Sequence, residues 1–335
     1  LDYSALEKYD PSRMHRVYDK WPEQARTAFE SDIEPVCTSD IDHIVFTGMG
    51  GSGAIGDIFS AIFSKSNIHV SLVKGYLLPK TVDERTLVIA ISMSGNTDET
   101  LTVLESAGRM DCDTVAFASG GKVESFCKQN KMDFYKVPMV HSPRASYPSF
   151  IYSVLKALGS ILPIGRDGIL ESISSLGSLQ KQIGTGNLTD SNPALQLSEW
   201  LSGIPLIYFP SGLFAAAVRF KNSLQENAKT HVIIEDVIEA CHNGIMSWER
   251  PSSVRPILLQ GRDDYIKTKQ RWKILKEYFD RRQIPYWEVF SVDGNVLSKI
   301  ICLIYLLDFS SIYYSVANRT DPTPVDSIDY IKERL

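Results

Sequence analysis

Residues 42–47 (DHIVFT) form a short β-branched run that leads straight into a cluster of glycines. Residues 68–73, 86–91 (TLVIAI), 114–118 (TVAFA) and 134–137 repeat such runs at similar spacing. Between them, residues 55–64, 99–107 and 123–130 carry helix-like patterns, and 148–162 predicts a longer helix that closes the series. Strands that are apolar throughout, alternating with helices, are what a parallel sheet covered on both faces requires.

Residues 164–195 have weaker apolar periodicity and a stretch rich in Gly, Ser and Asn (GTGNLTDSNP, 184–193), which reads as a helix followed by a connecting segment. The programme then starts again. A strand at 205–209 (PLIYF) ends in small residues and is followed by a helix over 214–227. Residues 231–235 are extended, 256–260 (PILLQ) and 286–290 are strands, 267–279 is a helix, and 297–316 is a long apolar helix. The two halves share an order of elements but no repeated residues, so a duplication is inferred from order alone. The expected fold class is therefore α/β, with two doubly wound domains, each a mainly parallel sheet flanked by helices. The boundaries expected are 1–163 for the first domain, 164–194 for the connection and 195–335 for the second.

A chain of 335 residues that is 44% hydrophobic and 22% charged is an ordinary globular protein with room for two cores. Its 35 Lys and Arg against 40 Asp and Glu leave a net charge of −5, a field that attracts neither nucleic acid nor an acidic membrane surface. Five scattered cysteines with no Cys-x-x-Cys pair predict neither a disulfide framework nor a structural zinc site. The longest apolar run, 300–314, is broken by Asp308, Ser310 and Ser311, and reads as a buried core helix rather than a bilayer span. With no basic-then-apolar leader at the N-terminus, a cytoplasmic protein is expected.

Two strand ends carry candidate chemistry. Gly48-Met49-Gly50-Gly51-Ser52-Gly53 lies between a strand and a helix, where glycines admit a ligand close to the backbone and a helix N-terminus offers N–H groups to an anion. Gly48, Gly50 and Gly53 fit the dinucleotide pattern G-x-G-x-x-G. The carboxylate that should hold the ribose is absent, however, since the next strand ends at Val73-Lys74-Gly75; Lys74 leaves a 2′-phosphate open. The segment Ser92-Met93-Ser94-Gly95-Asn96-Thr97-Asp98-Glu99-Thr100 is more specific. It gathers four hydroxyls and several N–H groups at a helix start with no cation among them, which suits a phosphate monoester, although a hydroxyl-rich helix cap has the same composition. Gly51, Ser52, Ser92, Ser94 and Thr97 are the phosphate-binding candidates.

GMGGSG together with SMSGNTDET resembles the sugar isomerase (SIS) domain. Ser142-Pro143-Arg144-Ala145-Ser146, Gln225-Glu226-Asn227-Ala228-Lys229, Cys241-His242-Asn243-Gly244 and Asp321-Pro322-Thr323-Pro324-Val325 resemble the bifunctional phosphoglucose/phosphomannose isomerases, whose two domains are SIS-type. The likeness runs from about residue 40 to the C-terminus, and the later motifs select the isomerase. It implies an aldose–ketose isomerase acting on glucose 6-phosphate, mannose 6-phosphate and fructose 6-phosphate through a cis-enediol. Such a reaction needs a base above C1 and C2, a group that opens the ring, and a cation beside the enediolate, but no metal or cofactor.

On the residues alone, Glu226 reads as a solvated helix carboxylate paired with Lys221 or Lys229, His242 as a loop bystander, and Arg144 as a surface cation. The resemblance implies instead that Glu226 is the proton-transferring base, His242 the ring-opening group that reaches into the partner subunit of a homodimer, and Arg144 the charge beside the enediolate. It further implies that Lys332, on a last helical stretch over 325–334, lies near the sugar ring and that Thr323 shapes the pocket around C2. Residues 239–244 read Glu-Ala-Cys-His-Asn-Gly where relatives more often carry Glu-Leu-Asn-His-Asn-Glu, so the histidine survives with altered neighbours. Two other readings share the phosphate loops: an aminosugar-phosphate isomerase with a different base, and a non-catalytic phosphosugar sensor. The absence of a basic block argues against the sensor.

Overall fold

The computed structural model describes residues 1–38 and 40–334. The chain opens with three helices, α1 (Tyr3–Tyr9), α2 (Met14–Asp19) and α3 (Trp21–Phe29). There follow β1 (His43–Thr47), α4 (Gly50–Phe63), β2 (His69–Val73), β3 (Thr86–Ser92), α5 (Asp98–Ala107), β4 (Asp113–Ala118), α6 (Gly121–Asn130), β5 (Asp133–Lys136) and α7 (Tyr147–Ala157). After α8 (Arg166–Ile183) and α9 (Pro193–Trp200) come β6 (Ile204–Phe209), α10 (Phe214–Ala228), β7 (Ile233–Asp236), α11 (Val237–Ala240), β8 (Val254–Gln260), α12 (Ile266–Arg281), β9 (Trp287–Phe290), α13 (Val296–Ala317) and α14 (Asp326–Lys332).

By compactness the chain forms two units, one of residues 20–174 and 295–298, the other of residues 1–19, 175–294 and 299–335. The first holds a five-stranded parallel sheet in the order β2-β1-β3-β4-β5, and the second a four-stranded parallel sheet in the order β7-β6-β8-β9. The second order repeats the first without its last strand. In each sheet the earliest strand lies inside, and the chain steps first to one side of it and then to the other. That reversal makes a topological switch point, β1/β3 in one sheet and β6/β8 in the other, where open α/β sheets leave a crevice beyond the strand ends.

Burial explains the apolar strands. All of β1 and β3 is buried, Thr47, Thr86 and Ser92 included, because helices cover both faces. Val45, Val73, Val88, Val103 and Ala107 form one cluster on this sheet, and Ala90, Leu104, Ala116, Val123 and Cys127 another. In the other unit Tyr208, Trp248, Leu258, Trp272 and Phe279 pack together. α13 is long and apolar enough to cross a membrane, but 83% of its apolar window is buried inside the protein, as expected of a core helix.

The departures from the expected elements have local causes. α4 begins at Gly50, five residues before the apolar pattern suggests. Glycine is a poor helix former, yet a Cβ on Gly56 would stand 2.9 Å from Phe46 and Leu72, so glycine lets α4 lie against β1 and β2. α7 stops at Ala157 rather than 162, and α14 covers Asp326–Lys332 rather than 325–334. The N-terminal helices have no counterpart among the expected elements. Asp10 organises part of that segment: its buried carboxylate accepts the backbone N–H groups of Met14 and His15, capping α2, and lies 2.7 Å from His15 Nδ1.

Candidate active site

The glycine-rich and hydroxyl-rich segments meet at the β1/β3 switch point, as neighbouring strand ends must. Residues 50–53 are not a loop but the first turn of α4, whose initial N–H groups have no acceptor within the helix. Ser52 Oγ accepts the backbone N–H of Met93 at 3.2 Å, lacing this turn to the segment after β3. Ser92 Oγ accepts from Gly95 N at 3.1 Å, and Ser94 Oγ from Asn96 N at 3.3 Å. A hydroxyl that already accepts a backbone N–H keeps its own proton to offer an anion. Thr97 occupies the N-cap position of α5, but its hydroxyl makes no cap; it pairs with Ser92 Oγ at 2.9 Å. Ser92 is buried and Ser52 nearly so, while Gly51, Ser94 and Thr97 are half-buried. The structure therefore brings Ser52, Ser92, Ser94 and Thr97 into one laced group.

A third strand end joins this group, and the sequence reading does not include it. Gly95 (φ +71) packs so tightly on the turn after β4 that a Cβ there would stand 2.0 Å from the Gly120 carbonyl oxygen. Asn96 Oδ1 also accepts the backbone N–H of Lys122. The signal in the sequence is slight, the pair Gly120-Gly121 at the end of a predicted strand.

Lys74 does not stand open to a 2′-phosphate. Its Nζ lies 2.8 and 2.7 Å from the two oxygens of Asp57, whose side chain is fully buried in α4. With the ribose carboxylate missing and this lysine committed, the dinucleotide reading loses both of its supports. Arg144 is not a surface cation. It lies in a 3-10 turn ahead of α7 and is 5% exposed, beside Ala145, whose carbonyl accepts the indole N–H of Trp21.

The remaining candidates lie in the other unit. Glu226, half-buried, sits in the last turn of α10. Lys229 follows that helix in the left-handed conformation (φ +56), and its Nζ reaches the carbonyl oxygens of Glu226 at 2.5 Å and Pro324 at 2.8 Å. The lysine thus ties the Asp-Pro-Thr-Pro segment, with Thr323, to the helix end that bears Glu226. With its ammonium engaged by two backbone carbonyls, Lys229 is more than a solvated surface partner for that carboxylate. His242 is exposed on the turn between α11 and a 3-10 helix (Gly244–Glu249). A Cβ on Gly244 would stand 2.3 Å from the carboxylate of Glu235, so Glu235 fills the room a larger residue at 244 would take. Burial, then the charge of Glu239, raises the Glu235 carboxyl above its usual range. Lys332 is exposed on α14. Among the described residues, the β6/β8 switch point lacks the hydroxyl donors of its counterpart: Ser211 donates to Asp236, and Asp263 and Asp264 follow β8.

Two parallel sheets with a hydroxyl-lined helix start at a switch point define an SIS-domain protein. Residues 39–155 match the SIS domain family, and residues 190–335 match the bacterial phospho-glucose isomerase C-terminal SIS domain. The chain belongs to the bifunctional phosphoglucose/phosphomannose isomerase family. It is 32% identical over 328 residues to a bifunctional phosphoglucose/phosphomannose isomerase of Caldicellulosiruptor bescii, spanning 94% of this chain and 96% of that one. It is 29% identical over 300 residues to that of Aquifex aeolicus, spanning 87% and 90%. A hypothetical protein of Thermus thermophilus shares the fold with a TM-score of 0.70 at 13% identity, covering 98% of this chain and 88% of that one.

Proposed function

We infer that this protein is an enzyme, an aldose–ketose isomerase that interconverts glucose 6-phosphate and mannose 6-phosphate with fructose 6-phosphate. The observation that carries this reading is the near full-length likeness to relatives that bear that bifunctional name. Incubation with fructose 6-phosphate tests it directly. Both aldose phosphates should appear; an aminosugar isomerase or a sensor would form neither.

The roles of the residues follow from the chemistry. The phosphate is bound by Gly51, Ser52, Ser92, Ser94 and Thr97, through hydroxyl protons and first-turn N–H groups. Glu226 removes the proton from C2 of the open-chain aldose. The C–H electron pair forms the C1–C2 double bond, and O1 takes the negative charge, which Arg144 stabilises. The carboxylic acid then returns its proton to C1 while the O2 proton passes to O1, leaving a ketone at C2 and a neutral hydroxyl at C1. His242 assists ring opening, Lys332 lies near the ring and Thr323 shapes the pocket beside C2. Neither metal nor cofactor has a part. In this reading the expected domain over 1–163 holds the phosphate and the one over 195–335 supplies the base and the histidine.

The phosphate is held through every step, so its donors bind ground state and transition state alike. Ser94→Ala/Thr97→Ala should raise KM for fructose 6-phosphate more than it lowers kcat. Unchanged affinity would remove the assignment.

The protein acts as a homodimer with active sites shared between subunits. What supports this is an exposed His242 on a turn, whose ring makes no hydrogen bond among the described residues. Mixing inactive Glu226→Gln with inactive His242→Ala chains should restore roughly a quarter of wild-type activity, because half of randomly mixed dimers regain one intact site. No recovery under demonstrated exchange defeats the shared site. The protein works in the cytoplasm, in keeping with cysteines that are all free thiols among the described residues.

A further inference from the structure

Helices α10 and α13 are mostly apolar, yet each carries buried polar residues on the side that faces the other. On α10 these are Arg219, Ser223 and Asn227, four residues apart; on α13 they are Asp308, Ser311 and Ser315. Arg219 and Ser223 both bond Asp308. At the far end of the seam, Asn227 Nδ2 donates to Ser311 Oγ at 2.8 Å, and Ser315 Oγ lies 2.8 Å from the Asn227 carbonyl oxygen and 2.7 Å from that of Thr320.

These last contacts fall where α10 would otherwise loosen. The final carbonyls of a helix have no donor within it, and last turns fray. In α10 the carbonyls of Glu226 and Asn227 are both met by side chains, Lys229 for one and Ser315 for the other. The residue so enclosed is the proposed base.

We propose that Asn227, Ser311, Ser315 and Lys229 form a positioning device for Glu226, holding the last turn of α10 wound so that the carboxylate stays at a fixed height over the reacting carbons. This rests on the reading of Glu226 as the base. None of the four residues touches substrate; they act through the turn that carries it. A carboxylate that must serve both C1 and C2 tolerates little displacement, since about 1 Å of misplacement can cost a hundred-fold in rate.

The test is Ser311→Ala/Ser315→Ala, which deletes two hydroxyls and leaves the apolar packing in place. It should lower kcat by about ten- to a hundred-fold and leave KM for fructose 6-phosphate within about two-fold, because the phosphate donors are untouched. Ser310→Ala is the control. That hydroxyl is buried on the same helix but bonds only its own helix, at the Leu306 carbonyl, so its loss should leave kcat unchanged. Should the double variant fold poorly, Lys229→Met removes an exposed ammonium without entering the core and should show the same split. In a Glu226→Gln background the two serine changes should add no further loss, as groups acting through one residue do not sum. Equal losses from Ser310→Ala, matched falls in kcat/KM and folded fraction, or full additivity in the Gln background would overturn the proposal. Full activity of Glu226→Gln by itself would instead remove the reading on which it rests.

Discussion

Glu226→Gln should abolish conversion of glucose 6-phosphate and mannose 6-phosphate together, by about two to four powers of ten in kcat, the usual share of a general base. The two substrates differ only in configuration at C2, and removal of the C2 proton gives both the same enediol. One carboxylate can serve both if rotation about C2–C3 presents either face of C2 to it, and the Thr323 segment tied to α10 through Lys229 stands beside that carbon in this reading. Glutamine keeps the shape and the hydrogen-bonding reach of the side chain but cannot accept the proton. KM should therefore change little. The measurement is turnover of each aldose phosphate in separate assays. Retention of one conversion with loss of the other would mean two bases and would end the single-carboxylate mechanism.

Asp308→Ala should produce the largest loss of stability of any single change considered for this chain. Its carboxylate is completely buried, with Arg219 Nη2 at 2.6 Å and Nε at 2.9 Å, and Ser223 Oγ at 2.5 Å. Burial pushes the Asp308 carboxyl up, while Arg219, Ser223 and Tyr18 pull it back towards the ionised form. Removing the carboxylate strands a guanidinium that is itself 1% exposed. Breaking one side of such a pair costs about 3–5 kcal/mol, whereas replacing both sides with apolar residues is often close to neutral. Arg219→Met/Asp308→Leu should therefore unfold at a higher urea concentration than Asp308→Ala. If the single variant were as stable as wild type, the pair would not be the desolvated contact described.

That pair also shows what a sequence can and cannot disclose. Asp308, Ser310 and Ser311 interrupt the apolar run of α13, and their presence speaks against a bilayer span; nothing local names Arg219, 89 residues earlier, as the partner. The α/β class, the alternation of buried strands with helices, and the hydroxyl-rich start of α5 are legible because each depends on neighbours within a few positions: β-branched runs, glycine turns and helix periodicity act locally. The family motifs likewise lie in short contiguous segments. The glycine-rich residues before Ile55 read as loop because glycine's helix propensity is poor, yet they form the first turn of α4.

Tertiary structure decided the rest, since it depends on contacts distant along the chain. Ser52 meets Met93 because β1 and β3 are adjacent in the sheet, and Gly95 meets Gly120 because β4 comes next. Arg144, which residue type alone would leave at the surface, is buried. Lys74 is taken by Asp57 rather than offered to a ligand. Lys229, beside Glu226 in sequence, turns to the backbone carbonyls of Glu226 and Pro324. The order of residues by itself determined which chemical groups this protein has and that apolar strands alternate with helices. Folding decided which groups are desolvated and which are paired, because burial and long-range pairing belong to the packed sheet and helices and not to any stretch of chain alone.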